Sequence, residues 1–460
     1  MTTPPTTAPH QRTLKRIVIL GGGFGGIYTT LHLQKIFRHH DAVEIVLINN
    51  DNYFLMSPLL FEAGSGVLEP RHAVTPIRPL LHKARFIEAD VERIDVDKRL
   101  VFARHTPDDK PYEIPYDHLV LALGGKTNRS LIPGSEFALG FKNLRDAIYL
   151  RNHIIDLFEQ ADASDDPEEI RRLLNFVIIG GGLVGVELIG ELTEFVDNLL
   201  RSYPRISREH IHFALLDASP RILSEMDQEL ADYAAETLWR RGVEILTNVR
   251  VQKIEPFADP ASALRVYLPA DARGQARILE AETVLLCAGV MPNPLIASMP
   301  AESLKGKIVV EPTMRVTSLG NVWALGDCAF IPDKNGKPYP PLAQHALRQA
   351  KVVAHNIARV VLNDGAHLQP FVYESKGTLA SLGHYDGVGK VLGIKIRGFA
   401  AWWVWRTYYV MQMPRWERRL RVILDWTIAL LFRNDVVKLD LFGQAHPSHR
   451  RRGTGLGFGS

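Results

Sequence analysis

The sequence predicts an α/β protein built on two βαβ units of the doubly wound type, followed by a C-terminal α+β segment of different chemistry. Three observations predict it. An apolar run, a glycine-rich hexapeptide and a helical pattern occur in that order twice, about 160 residues apart. Each copy is followed by a second short apolar run, as a parallel βαβ unit requires. From Arg397 to Ser460 the composition changes: eleven Lys/Arg stand against four Asp/Glu, and five of the seven tryptophans fall there.

The elements follow in order. Arg16 to Leu20 reads as a strand, a helix continues to about Phe37, and Val43 to Ile48 is the second strand. Between the first strand and the helix, Gly21-Gly22-Gly23-Phe24-Gly25-Gly26 fits G-x-G-x-x-G. A helix N-terminus presents free N–H groups and a positive dipole end to a diphosphate, and glycine lets that backbone approach. Phe176 to Ile179, then Gly180-Gly181-Gly182-Leu183-Val184-Gly185 and a helix, then His212 to Leu216, repeat the unit. Unrelated glycine-rich turns are the plain alternative. Two copies, each between a strand and a helix, favour a pair of Rossmann-like dinucleotide-binding domains. Asp217 follows the second strand of the second unit, where a carboxylate accepts both ribose hydroxyls of NAD and repels the 2′-phosphate of NADP; Arg221 nearby tempers that preference. The corresponding place in the first unit is Asn49, which bonds a ribose without charge assistance, with Asp51 as a possible substitute.

Asp162 to Arg172 is polar and largely acidic and reads as a boundary before the second unit, and Asp227 to Trp239 reads as a helix ended by Gly242. Residues 1–14 and 443–460 read as polar, disordered tails without the apolar core of a secretory signal. With 46% hydrophobic and 23% charged residues, a wholly disordered chain is excluded. The net charge of +3 carries no nucleic-acid footprint, but it averages −4 over residues 1–396 with +7 over the rest. Two cysteines, Cys287 and Cys328, supply neither a disulfide framework nor a metal site, and no metal is expected. No stretch nears the ~18 apolar residues of a membrane span.

On these motifs the chain resembles the two-dinucleotide flavoprotein oxidoreductases, and among them the type II, non-proton-pumping NADH:quinone oxidoreductases. The likeness runs from about Lys15 to Leu441. Tyr53-Phe-Leu-Met-Ser-Pro58-Leu59-Leu60 is similar to the family's segment beside the flavin, and Tyr116 to Gly124, with Ala122 and Gly124, to its flavin-domain turn. Thr283 to Val290, with Gly289, resembles the strand closing the NADH domain. In Asn321 to Ala329 the resemblance implies that Asp327 accepts a hydrogen bond from the ribityl chain of FAD. Ala343-Gln344-His345-Ala346-Leu347-Arg348 is similar to the quinone-pocket helix A-Q-x-A-x-Q, with arginine replacing the second glutamine. That replacement narrows the pocket or favours a more polar acceptor; Gln349 either compensates or faces solvent. Glu187, in the first turn of the second helix, matches a glutamate that approaches nicotinamide and flavin, against the plainer reading of a carboxylate suited to the positive helix end. Glu191 is read as structural.

The resemblance implies a FAD domain (15–160 and 293–365) split by an NADH domain (170–292), then a membrane-association or dimerisation domain (366–442). It implies non-covalent FAD on Gly21, Gly23, Phe24, Gly25, Gly26, Asn49, Pro58, Leu59, Ala122, Gly124, Asp327 and Ala343. It implies NADH on Gly180, Gly182, Leu183, Val184, Gly185, Asp217 and Gly289, with Glu187 and Gln344 as catalytic residues. A hydride passes from NADH to FAD, and two electrons pass to ubiquinone or menaquinone without proton pumping. The disulfide-reductase branch is excluded, because residues Phe24 to Ile36 contain no C-x-x-x-x-C pair. The basic, tryptophan-rich end, including Trp402, Trp405, Trp426 and Arg418 to Arg433, suits the headgroups of an anionic membrane. A dimer interface or a core helix is the alternative there. The expected setting is peripheral, on the cytoplasmic face of the cell membrane, as a homodimer. The competing readings are a reductase of a soluble acceptor and a weakly catalytic NADH-sensing flavoprotein.

Overall fold

The computed structural model describes residues 14–257, 263–270, 276–364, 367–375, 377–432 and 436–439. The chain divides into two compact units. The first comprises Met1–Phe54, Pro76–Gly125 and Pro292–Tyr373; the second comprises Leu55–Thr75, Lys126–Met291 and Glu374–Ser460.

The first unit is built on a seven-stranded sheet in the order Val322–Ala324, His118–Leu121, Lys15–Leu20, Val43–Asn49, Arg85–Asp95, Leu100–His105, Pro111–Pro115. The first five strands run parallel and the last two complete an antiparallel meander. Ile17, Val18, Ile19 and Leu20 are all fully buried, as strands covered on both faces must be. Leu20 pairs with Ile48 on one side and Leu121 on the other, so the strands end on one edge, where Gly21, Asn49 and Ala122 begin the loops. The helices Phe24–Ile36 and Ala343–Leu362 pack on each other in this unit.

The second unit repeats the plan. Its parallel sheet runs Leu139–Gly140, Thr283–Leu286, Asn175–Ile179, His212–Leu216, Val243–Leu246. An antiparallel sheet of Gly377–Gly383, Asp386–Val391 and Ile394–Arg397 leads into the helices Phe399–Met411 and Trp416–Leu431. The helix Leu183–Leu200 lies on the strand Gly377–Gly383. Gly190 explains how closely: a Cβ there would stand 2.4 Å from the Leu382 carbonyl oxygen. A mid-helix glycine costs ~1 kcal/mol of helix propensity, and here the approach requires it.

Three parts of the chain take places that their sequence does not announce. Residues 126–160 pack with the second unit, because Leu139–Gly140 adds an outer strand to its sheet and the helix Leu144–Ala163 joins its core. The described residues from Glu374 onward cluster with that same unit. The acidic stretch 162–172 is ordered: Pro167–Leu173 is a helix, with the Asp166 side chain accepting from the Glu168 N–H and proline in the first turn. Apart from Leu14, residues 1–14 lie outside the described residues, as do 443–460.

Candidate functional site

The two glycine loops are built by the same bonds. Gly21 N–H donates to Ile48 O at 2.8 Å and Gly180 N–H to Leu216 O at 2.7 Å. Ala122 N–H donates to Leu20 O at 2.9 Å and Cys287 N–H to Ile179 O at 2.8 Å. Gly21 and Gly180 have φ of +106° and +115°, and a Cβ on either would collide with the facing strand end, at Ala122 O or Ala288 N. At Gly26 and Gly185 a Cβ would lie 1.8 Å from the carbonyl oxygen of Gly21 and Gly180 respectively, so helix and strand touch through hydrogen. The middle glycines differ. A Cβ on Gly23 meets nothing within 4 Å, and one on Gly182 meets only Glu225 Oε1 at 3.6 Å. Both following helices start without a side-chain cap and without an acidic residue in the first turn. Open space beside uncapped N–H groups at the positive end of a helix fits a dinucleotide diphosphate in each loop.

Asn49, the last residue of the strand Val43–Asn49, and Asp217, the residue after His212–Leu216, take matching positions. Asn49 Oδ1 accepts from Gly22 N–H at 2.6 Å and its Nδ2 donates to Asp51 O at 2.8 Å. Asp217 Oδ2 accepts from Gly181 N–H at 2.5 Å and its Oδ1 from Ser219 N–H at 2.6 Å. The same anchor is an amide in one unit and a carboxylate in the other. Arg221 donates to the carbonyls of Ser224 and Met226 at 3.1 and 2.9 Å, which commits it to its own turn.

Gln349 is buried, and its Oε1 accepts from Gly326 N–H at 2.9 Å, so it does not face solvent. That bond fastens the turn carrying half-buried Asp327 to the helix Ala343–Leu362, on which Ala343 and Gln344 open the first turn. Gly124, with φ of +63°, has open space where a Cβ would be. In the second unit, Leu59 is buried and Pro58 half-buried in the turn Ser57–Leu59, and Gly289 accepts from Asn128 N–H at 2.8 Å. Cys328 is buried and Cys287 half-buried, and burial pushes their thiols up to about 11 and about 12, so neither is a thiolate at neutral pH.

Glu187 is the fifth residue of the helix Leu183–Leu200, past the first turn where the sequence put it, and does not cap that helix. It lies in the interior of the second unit, where its Oε1 accepts from Trp405 Nε1–H at 2.8 Å and Ser381 N–H at 3.1 Å. Burial raises its carboxyl to about 8 despite those two donors. Glu191, one turn on, is also buried and is held well above the usual carboxylate range by burial and then by Glu194; Ser65 Oγ donates to it at 3.2 Å. Glu62, fully buried, takes Arg406 Nε and Nη2 on one oxygen, each at 2.8 Å, and Trp426 Nε1–H on the other at 2.7 Å. The Arg406 guanidinium lies between the rings of Trp402 and Trp426, 4.0 and 4.7 Å from their centroids. Trp402, Trp405 and Trp426 therefore do not face a lipid headgroup layer as the sequence led us to expect. They face inward, and two of them bind glutamates. Sequence reasoning missed this cluster. The available signal was the setting of the glutamates: Glu62, Glu187 and Glu191 each sit in an otherwise apolar helical run, where a carboxylate demands a partner.

Among known proteins, residues 15–350 match the family model for pyridine nucleotide-disulphide oxidoreductases, and residues 375–435 match the NDH2 C-terminal domain. The chain is 30% identical over 441 residues to the type II NADH:quinone oxidoreductase Ndh of Mycobacterium tuberculosis, covering 93% of this chain and 90% of the relative. It is 31% identical over 390 residues to the type II NADH:quinone oxidoreductase of Staphylococcus aureus, covering 84% and 91%. In fold it is similar to NDH2 from Plasmodium falciparum, solved in complex with NADH, with a TM-score of 0.84 at 19% identity, covering 92% of this chain and all of that one.

Proposed function

The chain belongs to the pyridine nucleotide-disulphide oxidoreductases and, among them, to the type II NADH:quinone oxidoreductases, and on that premise we propose how its residues divide the work. It is a flavoprotein NADH dehydrogenase that uses FAD and NADH and reduces a quinone. When bound, FAD supplies the redox chemistry, taking a hydride equivalent from NADH and passing the electron pair to the quinone.

The first glycine loop holds the FAD diphosphate and the second holds that of NADH. The observation carrying this assignment is a difference in charge between two loops built by the same bonds. Only the second ends its anchor in a carboxylate, Asp217, which suits the paired ribose hydroxyls of NADH. Asp327 and Gly124 serve the FAD side, and Leu183 and Val184 face the second diphosphate. Gln344, in the first turn of its helix, meets the quinone. Reducing a quinone also takes two protons, and Glu187 is suited to hold one. Both donors to it, Trp405 and Ser381, engage Oε1, and burial keeps the group largely protonated at neutral pH.

The enzyme works on a membrane surface. Among the described residues no helix is long and apolar enough to cross a bilayer. The helix Trp416–Leu431 exposes Leu420, Leu424, Ile428 and Leu431 along one stripe, at 48 to 74% of their full surface, beside the exposed Arg421. That pattern supports peripheral attachment to the anionic, cytoplasmic face of the membrane, with a homodimer as the other occupant of the stripe. Purified protein is expected to carry flavin absorbance, to oxidise NADH faster when quinone is added, and to float with anionic vesicles. Rapid NADH:dye activity with no turnover of any quinone would refute the acceptor assignment, and a dimer that ignores vesicles would refute the attachment.

A further inference from the structure

We propose that Arg348 sets the acceptor preference of this enzyme, recognising quinones that carry an ionised acidic substituent over neutral ones. The inference rests on the reading that the helix bearing Gln344 receives the acceptor, and goes beyond it to the class of acceptor.

Arg348 lies four residues after Gln344 on the helix Ala343–Leu362, hence on the same face one turn along. Its guanidinium is fixed before any ligand arrives. Nη1 donates to Gln344 O at 2.7 Å, and the group stacks on the Tyr373 ring, 4.5 Å from its centroid. Tyr373 is itself tied down, with its N–H donating to the Tyr339 hydroxyl at 3.1 Å. A guanidinium has five N–H donors, so most remain for a ligand.

What the group lacks is a counter-charge. Among the described residues its partners are the Gln344 carbonyl and the Tyr373 ring, neither of them a carboxylate, although the side chain is half-buried. The neighbouring titratable group adds no negative charge. His345 is buried, its Nδ1 lies 2.9 Å from Pro340 O, and burial together with the Arg348 charge lowers its pKa, so it stays neutral. The helix end adds to the same sign: the first turn, with Gln344, starts without a side-chain cap or an acidic residue. A pre-ordered, half-buried, unpaired cation one turn inside the positive end of a helix is a recognition element for an anion. A neutral glutamine at this position would offer no such discrimination.

The test compares selectivity, so that intrinsic differences between acceptors cancel. NADH-driven turnover of 1,4-naphthoquinone-2-sulfonate and of menadione is measured for the wild-type holoenzyme, Arg348→Gln and Arg348→Lys, with flavin content confirming assembly. For Arg348→Gln, kcat/KM for the sulfonate is expected to fall about tenfold or more, chiefly through KM, while that for menadione changes less than about threefold. Arg348→Lys should fall between. Equilibrium binding of the sulfonate without NADH, followed by calorimetry, should weaken by the same factor as kcat/KM. In the wild type alone, KM for the sulfonate should rise with ionic strength while KM for menadione does not. Equal changes for both acceptors, or no salt dependence, overturn the inference while leaving the quinone reading intact. A wild type that turns over neither quinone overturns that reading and this inference with it.

Discussion

Trp405 donates its indole N–H to Oε1 of Glu187 across 2.8 Å, joining the helix Phe399–Met411 to the helix that follows the second glycine loop. Such a bond favours the ionised carboxylate, so removing it raises the Glu187 pKa further. Trp405→Phe keeps most of the packing and loses the donor. The alkaline limb of the quinone-reduction pH profile should move up by about one unit, as expected for the loss of a hydrogen bond to a charged group. NADH:ferricyanide turnover, which needs no proton at the acceptor, should keep its profile. An unmoved limb would separate Trp405 from the proton function of Glu187.

The same carboxyl links stability to pH. Its folded pKa of about 8 lies above the ordinary value of 4.5, so the unfolded chain releases this proton first as pH rises. The stability it permits is whole below pH 4.5 and is lost as pH climbs through 8, at a slope of about 1.4 kcal/mol per unit for one proton. Glu187→Gln, neutral throughout, should remove one proton's share of that slope. Urea midpoints measured between pH 5 and pH 8 would show the variant losing less stability than the wild type.

Arg406 and Glu62 form a buried ion pair whose value lies in being complete. Arg406→Met leaves Glu62 fully buried with only Trp426 as a donor. Breaking one side of such a pair costs about 3–5 kcal/mol, whereas replacing both sides with apolar groups costs far less. Thermal unfolding should therefore show a large fall for Arg406→Met and substantial recovery in the double variant with Glu62→Leu. A double variant as unstable as the single would mean that the pair, not the stranded carboxylate, carries the stability.

The parts of this fold that were legible in sequence are those whose physics is local. A strand, three glycines at fixed spacing and a helix start determine the loop bonds within a few residues, and both loops formed as expected. Asn49 against Asp217 was also readable, because the position after a second strand is defined by the unit itself. The tryptophans and arginines of the C-terminal region were not. An indole beside a guanidinium looks the same at a lipid headgroup layer as in a protein interior, and what decides between them is Glu62, 344 residues away from Arg406. The packing of residues 126–160 was hidden for a similar reason: the two-residue strand Leu139–Gly140 is too short to announce itself, and it acquires meaning only beside Thr283–Leu286.

Asp217 should discriminate between the two nicotinamide cofactors. Asp217→Asn keeps an oxygen for Gly181 N–H and makes the second unit resemble the first at Asn49. It loses the negative charge that repels a 2′-phosphate and binds ribose hydroxyls strongly. KM for NADH should rise, and the NADH-over-NADPH ratio of kcat/KM should fall by about tenfold, with kcat for NADH little changed. Unaltered discrimination would shift the choice of cofactor to other residues, with Arg221 the next to vary.

The glycines of the first loop should fail in two different ways. Gly26→Ala places a methyl 1.8 Å from the Gly21 carbonyl oxygen, a backbone atom that has no room to move while the strand stays paired. The variant should misfold or lose several kcal/mol of stability. Gly23→Ala meets nothing within 4 Å and should fold normally. Its methyl occupies the space assigned to the diphosphate, so purified protein should be stable yet poor in flavin, and added FAD should restore absorbance only at much higher concentration. Differential scanning fluorimetry with the flavin spectrum of the same samples distinguishes the two outcomes. If Gly23→Ala retained full flavin with unchanged affinity, the open side of this loop would not be where the diphosphate lies.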